Sequence, residues 1–238
     1  MTRLSKYDRD SNLNIFAGIP CFNTKFHVAN TVSIAKKYVD QVIVVDDGSN
    51  DGTSRVAQEA GALVIKHKVN MGAGFATRTC FDVAKANNAD ILITLDGDGQ
   101  HNPEEIPIIL APILRKEANI VIGSRFIGNS NGMPKYRRLG INIISSILNI
   151  GSKPKIFDTQ SCFRAYDRDA LNLLNITEKG FGFSVELLIQ ARRRDLTISE
   201  VPISCIYNQF SHSLNPVFHG VEVAFAVVRN RVKNGASN

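Results

Sequence analysis

The sequence predicts an α/β protein with a Rossmann-like, mostly parallel central sheet and flanking helices. In the first half of the chain, short aliphatic segments alternate with helical segments of about a dozen residues, a pattern typical of βαβ units. Four of the predicted strands end in loops rich in polar residues and glycine. The 238 residues are 44% hydrophobic and 21% charged, an ordinary globular balance that excludes disordered, collagenous and coiled-coil proteins.

Each predicted strand is a run of aliphatic or β-branched residues. The predicted strands are Asn14–Ile19, Gln41–Val45, Leu63–Lys66, Asp90–Leu95, Ile120–Ile122 and Thr197–Tyr207. The predicted helices are His27–Tyr38, Thr53–Ala60, Ala76–Ala86, one that begins near Pro103, and Val217–Lys233. Asp51 or Thr53 is the expected cap of the second helix. Composition predicts a flexible loop at Gly128–Pro134.

Four strand ends carry polar side chains: Pro20–Asn23, Asp46–Ser49, Asn70–Gly74 and Asp96–Gln100. Ligands of open α/β sheets bind outside the carboxyl ends of the strands. We therefore expect these four segments to meet at one rim of the sheet and to form a ligand site, although they lie far apart in sequence.

The segment Asp96-Gly97-Asp98 predicts a cation site. Two carboxylates separated by one glycine reach a small volume, where their repulsion favours a bound cation. Gln100 adds a carbonyl oxygen, and oxygen ligands suit Mg²⁺ or Mn²⁺. A calcium loop is excluded, because its sixth position would be His101 and its twelfth Pro107. A carboxylate-rich turn without metal is the alternative.

Several other site classes are excluded by the motifs. No G-x-G-x-x-G follows the first strand, no Walker A segment is present, and nothing resembles a Ser-His-Asp elbow. The four cysteines lack C-x-x-C spacing, which argues against zinc and redox motifs and favours reduced thiols. Asp46 and Asp47 could accept hydrogen bonds from a nucleotide base and ribose, or could serve turn chemistry alone.

The positive charge is concentrated in one stretch of the chain. The net charge is +6, and residues 115–155 alone carry eight basic side chains and one acidic side chain. Such a stretch indicates an anionic partner such as a phosphate or lipid headgroups, or a solvated basic face. Nucleic acid is a poor candidate, because only Phe126 and Tyr136 are available there for base stacking.

Together these motifs resemble family 2 glycosyltransferases of the GT-A fold. The segments that carry the resemblance are Asp46–Thr53 (DDGSNDGT), Asn70–Gly74 (NMGAG), Leu95–Glu105 (LDGDGQHNPEE) and Gly123–Arg125 (GSR). Three later segments are similar to the polyprenyl-phosphate (dolichol-phosphate) mannose and glucose synthases: Asp158–Arg164 (DTQSCFR), Phe183–Leu187 (FSVEL) and Glu200–Ile203 (EVPI). The resemblance spans about residues 14–220.

The resemblance implies a role for each matching residue. Asp98 and Gln100 would hold Mg²⁺ or Mn²⁺ on the donor diphosphate, and Asp96 would contact the ribose and sugar. The nucleotide-sugar pocket would be lined by Pro20, Asn23, Asp46, Asp47, Gly72, Asp96 and Gly97. Arg125, with Arg137 or Arg138, would grip the acceptor phosphate, and Glu186 would orient the acceptor or sugar side. Thr24 departs from the family, in which an acidic residue is common at that position.

The expected reaction is an inverting transfer of a hexose from a nucleotide diphosphate sugar, such as GDP-mannose or a UDP-sugar, to a polyprenyl or dolichyl phosphate. A lipid phosphate is already an anionic nucleophile, so it needs cationic positioning and no general base. The alternatives are a family member with a soluble acceptor, for which Asp158 or Glu186 would be the base, and a non-catalytic binder of nucleotides or anions.

The expected domain plan is a flexible N-terminus at residues 1–13, a GT-A domain at residues 14–210 and a C-terminal helix within residues 211–238. That helix would pack on the domain or lie on a membrane surface, since Val217, Phe218, Val221, Phe225 and Val228 have roughly helical spacing. The N-terminus lacks a secretory apolar region. We expect a cytoplasmic protein, peripheral at the cytosolic membrane face, with room for a separate membrane-anchoring partner.

Overall fold

A computed structural model describes residues 13–127 and 135–204, with the side chains of residues 135–137 left out of the description. Residues 1–12 of the predicted N-terminal segment, the predicted segments 128–134 and 211–238, and the side chain of Arg137 lie outside these described residues. The strands are β1 (Ile15–Cys21), β2 (Gln41–Asp46), β3 (Leu63–Lys66), β4 (Ile91–Thr94), β5 (Ile120–Ser124), β6 (Arg164–Asp167) and β7 (Ile198–Pro202). The helices are α1 (Val28–Ala35), α2 (Thr53–Glu59), α3 (Ala73–Ala86), α4 (Ile106–Leu114), α5 (Lys135–Asn149), α6 (Arg168–Leu173) and α7 (Phe183–Arg193).

The strands form one seven-stranded sheet in the order β3-β2-β1-β4-β6-β5-β7. Strands β1 to β4 are parallel, β5 pairs in parallel with β7, and β6 is antiparallel to both β4 and β5. The expected mostly parallel sheet is confirmed. Because β6 alone runs the other way, its first residue, Arg164, stands at the same rim as the carboxyl ends of the other strands.

Helices cover both faces of the sheet, and the alternation of side chains along each strand explains why. Ile15, Ala17 and Ile19 point to the face covered by α1 and α4, whereas Phe16 points to the face covered by α3 and α7. Both faces of the central strands are therefore buried, which accounts for their continuous aliphatic runs. No helix among residues 13–127 and 135–204 combines the length and apolarity needed to span a bilayer.

Most of the observed strand and helix boundaries lie within two or three residues of the boundaries predicted from the sequence. The helix predicted from Ala76 begins at Ala73, because Gly72 takes a positive φ of 97° and starts the helix earlier. Gly52, and neither Asp51 nor Thr53, is the N-cap of α2, although the Asp51 carboxylate accepts the Thr53 N–H at 2.9 Å. Pro103 begins a short 3-10 turn that leads into α4. Helix α5 and the elements from β6 to α7 were not predicted.

Candidate functional site

The loop after β4 forms the floor of the site at the rim of the sheet. Gly97 allows this loop to lie against β1, since a Cβ atom there would come within 2.3 Å of the Cys21 sulfur. The Asp98 carboxylate accepts the Gln100 N–H at 3.0 Å and a hydrogen bond from the Gln100 side chain. Burial raises the pKa of Asp98, and the neighbouring Asp96 carboxylate raises it further. Asp98 therefore lies close enough to Asp96 for the two carboxylates to interact electrostatically.

His101 is a buried residue that stabilises the loop after β4. It is 3% exposed, and its ring lies 5.3 Å from the Phe163 ring, centre to centre. Burial, followed by the nearby Arg125 charge, lowers the pKa of His101 to about 4. Its unprotonated Nδ1 accepts the Asp96 N–H at 3.1 Å, so the imidazole is neutral and holds the turn in place.

The oxygen atoms of the loop after β4 could supply part of the coordination shell of a hard cation such as Mg²⁺. Asp96, Asp98 and Gln100 offer oxygen atoms at one position, but no cluster of three or more His, Cys, Asp or Glu side chains fit to hold a metal occurs within the described part of the chain. Mg²⁺ commonly takes one or two carboxylates and completes its shell with water and substrate phosphates. The oxygens after β4 fit that mode of binding, and they do not fit a closed protein cage.

Asp47 organises the loop between β3 and α3. Its carboxylate accepts the N–H groups of Met71 at 2.9 Å and Gly72 at 2.8 Å, and it lies 2.7 Å from Nδ1 of His67. The other ring nitrogen of His67 lies 3.0 Å from the Thr79 hydroxyl. Asp47 is 3% exposed. The structure thus places Asp47 at the rim, with its oxygens holding the glycine-rich loop.

Asp46 is completely buried and serves the neighbouring loop. Its carboxylate accepts the Ser49 N–H at 2.8 Å and the Ser54 hydroxyl. Ser49 in turn accepts the N–H of Asn23, which takes a positive φ of 52°. Pro20, at the end of β1, pairs in register with Val45 on β2. The residues predicted for the nucleotide pocket therefore lie on adjacent, hydrogen-bonded loops at one rim.

Arg125 follows β5 and is held by Asp158. The Arg125 Nε and Nη2 groups donate to the two Asp158 oxygens at 2.7 and 2.8 Å, and the Arg125 N–H also donates at 3.0 Å. Burial alone would raise the pKa of Asp158, but attraction by Arg125 and its hydrogen bonds outweigh burial and hold that pKa below its ordinary value. Arg125 also lowers the pKa of Asp96, against the burial that raises it to about 6.

Glu186 forms hydrogen bonds with a different part of the chain from Arg125. It is 2% exposed, and its carboxylate accepts the N–H groups of Thr177 at 3.0 Å and Glu178 at 3.1 Å, as well as the Thr177 hydroxyl. The loop that Glu186 holds packs on the start of α3, where the Gly74 N–H donates to the Lys179 carbonyl at 2.8 Å. Glu186 is thereby linked to the loop that Asp47 organises.

Arg164 is a functional candidate that the sequence reasoning missed. It is 1% exposed, and its guanidinium donates to the Ser184 carbonyl at 3.0 Å and the Thr159 carbonyl at 2.9 Å. It thus joins the segment that carries Asp158 to the first turn of α7. A cation within the otherwise apolar stretch Cys162–Tyr166 was the available signal. Arg138 is exposed, with its guanidinium 5.7 Å from the centre of the Phe126 ring.

Two known proteins are similar to this chain in sequence over most of their length. The chain is 32% identical over 219 residues to a UDP-N-acetylglucosamine–dolichyl-phosphate N-acetylglucosaminyltransferase of Methanococcus voltae, covering 83% of this chain and 87% of the relative. It is 29% identical over 213 residues to an undecaprenyl-phosphate mannosyltransferase of Micrococcus luteus, covering 84% and 87%.

A solved structure shares the fold. It is the glucosyl-3-phosphoglycerate synthase of Mycobacterium tuberculosis in complex with Mn²⁺, UDP-glucose and phosphoglyceric acid, with a TM-score of 0.72, 21% identity, and coverage of 92% of this chain and 80% of that one. The sequence model of glycosyl transferase family 2 matches residues 17–174, which include most of β1, all of β2 to β6 and the loop after β4. With the predicted sheet and rim in place, the chain belongs to glycosyl transferase family 2.

Proposed function

We propose that this glycosyltransferase moves a hexose from a nucleotide diphosphate sugar to a polyprenyl phosphate, with inversion at the anomeric carbon. The observation that carries the choice of acceptor is the state of the two carboxylates available as general bases. Asp158 is fully buried and paired with Arg125, and Glu186 is buried with hydrogen bonds to Thr177 and Glu178. Neither is placed to take a proton from a hydroxyl acceptor.

A phosphate acceptor does not require that proton transfer. Its oxygen is anionic near neutral pH, so catalysis depends on positioning and on stabilising the departing diphosphate. Arg125 offers a guanidinium fixed by Asp158, and planar guanidinium groups match phosphate oxygens. The names of the relatives from Methanococcus voltae and Micrococcus luteus support a lipid phosphate acceptor.

The donor would bind across the loops after β1, β2, β3 and β4. Asp46 and Asp47 would act by fixing the loops that shape the nucleotide pocket, together with Pro20, Asn23 and Gly72. Asp98 and Gln100, with Asp96 beside them, would hold Mg²⁺ or Mn²⁺, which when bound offsets the negative charge of the departing diphosphate. Arg137 or Arg138 would add a second cation for the acceptor phosphate. Because the acceptor is a membrane lipid, the protein would work at a membrane surface.

A transfer assay with purified protein tests this proposal. The donors are GDP-mannose, UDP-glucose and UDP-N-acetylglucosamine, each with Mg²⁺, with Mn²⁺ and with EDTA, and the acceptor is a water-soluble, short-chain polyprenyl phosphate. We expect a metal-dependent glycosyl phospholipid product from one donor. Transfer to soluble glycans or small hydroxyl compounds, without transfer to the polyprenyl phosphate, would support the soluble-acceptor alternative. Nucleotide binding without transfer to any acceptor would support the non-catalytic alternative.

A further inference from the structure

Helix α5 presents an exposed apolar face that no other described part of the chain covers. Leu139, Ile143 and Ile150 are 62%, 52% and 64% exposed, and Phe157 in the following segment is 56% exposed. We propose that this surface, together with Lys153 and Lys155, docks the protein on an anionic lipid bilayer. We name these six residues the α5 face. The inference rests on the proposed function, because it concerns access to a lipid acceptor.

The spacing on α5 separates an inner side from an outer side. Ile144 and Leu148 are 5% and 1% exposed and belong to the core on the α7 side of the sheet. Leu139 and Ile143 are four residues apart, and Ile150 continues the same side one residue past the helix end. The helix is therefore anchored by one side and offers a second apolar side to its surroundings. Such a helix can lie in the plane of a membrane interface with its apolar side inserted.

The charges around the α5 face favour a lipid surface as its occupant. Residues 118–157 contain six basic side chains and no acidic side chain, whereas the rest of the chain has 22 of each sign. Lys153 and Lys155 are exposed next to Ile150 and Phe157 in sequence. The six residues of the α5 face are all cationic or apolar, and such a surface complements anionic headgroups above an apolar layer. The long stems of lysine also allow the apolar side chains beside them to insert while the ammonium groups stay with the headgroups.

The α5 face is continuous with the acceptor side of the site. The first described side chain of α5, Arg138, lies over the ring of Phe126, which follows Arg125. At the other end, Phe157 precedes Asp158, and Glu200 accepts the N–H groups of both residues at 2.8 Å. Docking of this face would therefore bring the Arg125–Asp158 pair to the bilayer surface, where the phosphate of a polyprenyl lipid lies.

Vesicle sedimentation of the full chain tests the inference without any transfer reaction. The vesicles contain either phosphatidylcholine alone or phosphatidylcholine with phosphatidylglycerol. We expect binding to the anionic vesicles, about 100-fold weaker for the variant Leu139→Ser/Ile143→Ser/Ile150→Ser. For Lys153→Gln/Lys155→Gln we expect a loss of about 25-fold, or about fivefold for each cation. The matched controls, Leu63→Ser at the opposite edge of the sheet and Lys36→Gln/Lys68→Gln, should bind like the unchanged protein.

A second readout separates failure of this inference from failure of the proposed function. Both α5 variants should keep the unchanged Tm and the unchanged rate with a short-chain, water-soluble polyprenyl phosphate, and should lose rate only with acceptor embedded in anionic vesicles. Full vesicle binding by the triple variant would overturn the inference. Unchanged vesicle binding of the triple variant together with a lower Tm would assign the face to contacts with residues 205–238. Unchanged vesicle binding together with weaker self-association than the unchanged protein would assign the face to a protein partner. Absence of all transfer, with vesicle binding as expected, would overturn the proposed function alone.

Discussion

The rim has two regions, the loops proposed to bind the donor (the donor side) and the groups proposed to bind the acceptor phosphate (the acceptor side). The two regions hold their charges in different ways. On the donor side, Asp46 and Asp47 accept hydrogen bonds mostly from backbone N–H groups of the adjoining loops. On the acceptor side, Arg125 is held by the buried carboxylate of Asp158, and Arg164 is held by carbonyl oxygens. On the donor side, aspartate carboxylates hold the loops in place. On the acceptor side, buried carboxylate and carbonyl oxygens hold the arginine side chains in place.

This difference indicates which changes will affect binding and which will affect folding. Backbone N–H groups of the protein's own loop donate to Asp47, so these hydrogen bonds form without a ligand. Arg125 forms a largely buried ion pair with Asp158, and such a pair is lost when either member is removed. We therefore expect acceptor-side substitutions to alter acceptor use and stability together, whereas Asp98 on the donor side should affect catalysis more than folding.

The largest effect is expected for Asp98→Asn. This substitution removes a charge at the proposed cation position, and loss of a group that stabilises developing charge commonly costs about 10³-fold in kcat. Transfer rates and the metal-dependent thermal shift by the nucleotide would measure it. The control is Asp82→Asn, an exposed position on α3 that should leave both unchanged. Equal activity of Asp98→Asn and the unchanged protein would contradict the assignment.

A smaller effect is expected for Arg125→Lys. Lysine keeps the charge but lacks the planar fork that meets both Asp158 oxygens and matches a phosphate. We expect kcat/KM for the acceptor to fall about 100-fold, as for other small misplacements of a positioned group, while the KM for the donor stays the same. Steady-state kinetics with each substrate varied would separate the two. Arg115→Lys on the surface is the control, and an equal rise in donor KM would contradict the division of the rim.

Arg164→Met should reduce stability by about 3 kcal/mol, because the Ser184 carbonyl, the Thr159 carbonyl and the Ser184 hydroxyl each lose a hydrogen bond from the buried guanidinium. The Ser184 hydroxyl still donates to the Thr159 carbonyl at 2.7 Å, which limits the loss. Urea unfolding at neutral pH would measure this loss. Ser184→Ala removes only part of the network and should cost about 1 kcal/mol. If Arg164 also positions the Asp158 segment, Ser184→Ala should raise the acceptor KM with little change in donor KM. Unchanged stability of Arg164→Met would show that the buried cation is neutral for folding.

The smallest effect concerns the pH dependence of stability. Since the pKa of Asp158 is lower in the folded protein than in the unfolded chain, its contribution is complete above the unfolded value of about 3.9 and is lost as the pH falls through the lower folded value. The difference in unfolding free energy between the unchanged protein and Asp158→Asn should be constant from pH 5 to 7 and shrink below about pH 4. Chemical unfolding at several pH values would measure it. A difference that grows on acidification would contradict the ion pair.

The sequence predicted the first half of the fold and the rim of the sheet at which the candidate site residues lie. The predicted strands Gln41–Val45 and Leu63–Lys66 are strands in the structure, with nearly the predicted ends. They could be predicted because the residue types of a short segment largely decide whether it forms a strand or a helix in this half of the chain. The segment Asp96–Gln100 lies at the rim as expected. The antiparallel strand β6 was missed, because its four residues, Arg164–Asp167, include an arginine, a tyrosine and an aspartate that hide the usual apolar pattern.

The family, the parallel half of the sheet and the position of the carboxylate-bearing loops can be predicted from the residue pattern, since these depend on local periodicity and on motifs a few residues long. The folded structure was needed to see that Asp158 holds Arg125, that Glu186 supports the loop at the start of α3, and that Arg164 is buried between two segments. The physical reason is that hydrogen-bond partners 9 to 33 residues apart are chosen by packing, and the same residue types could have faced water.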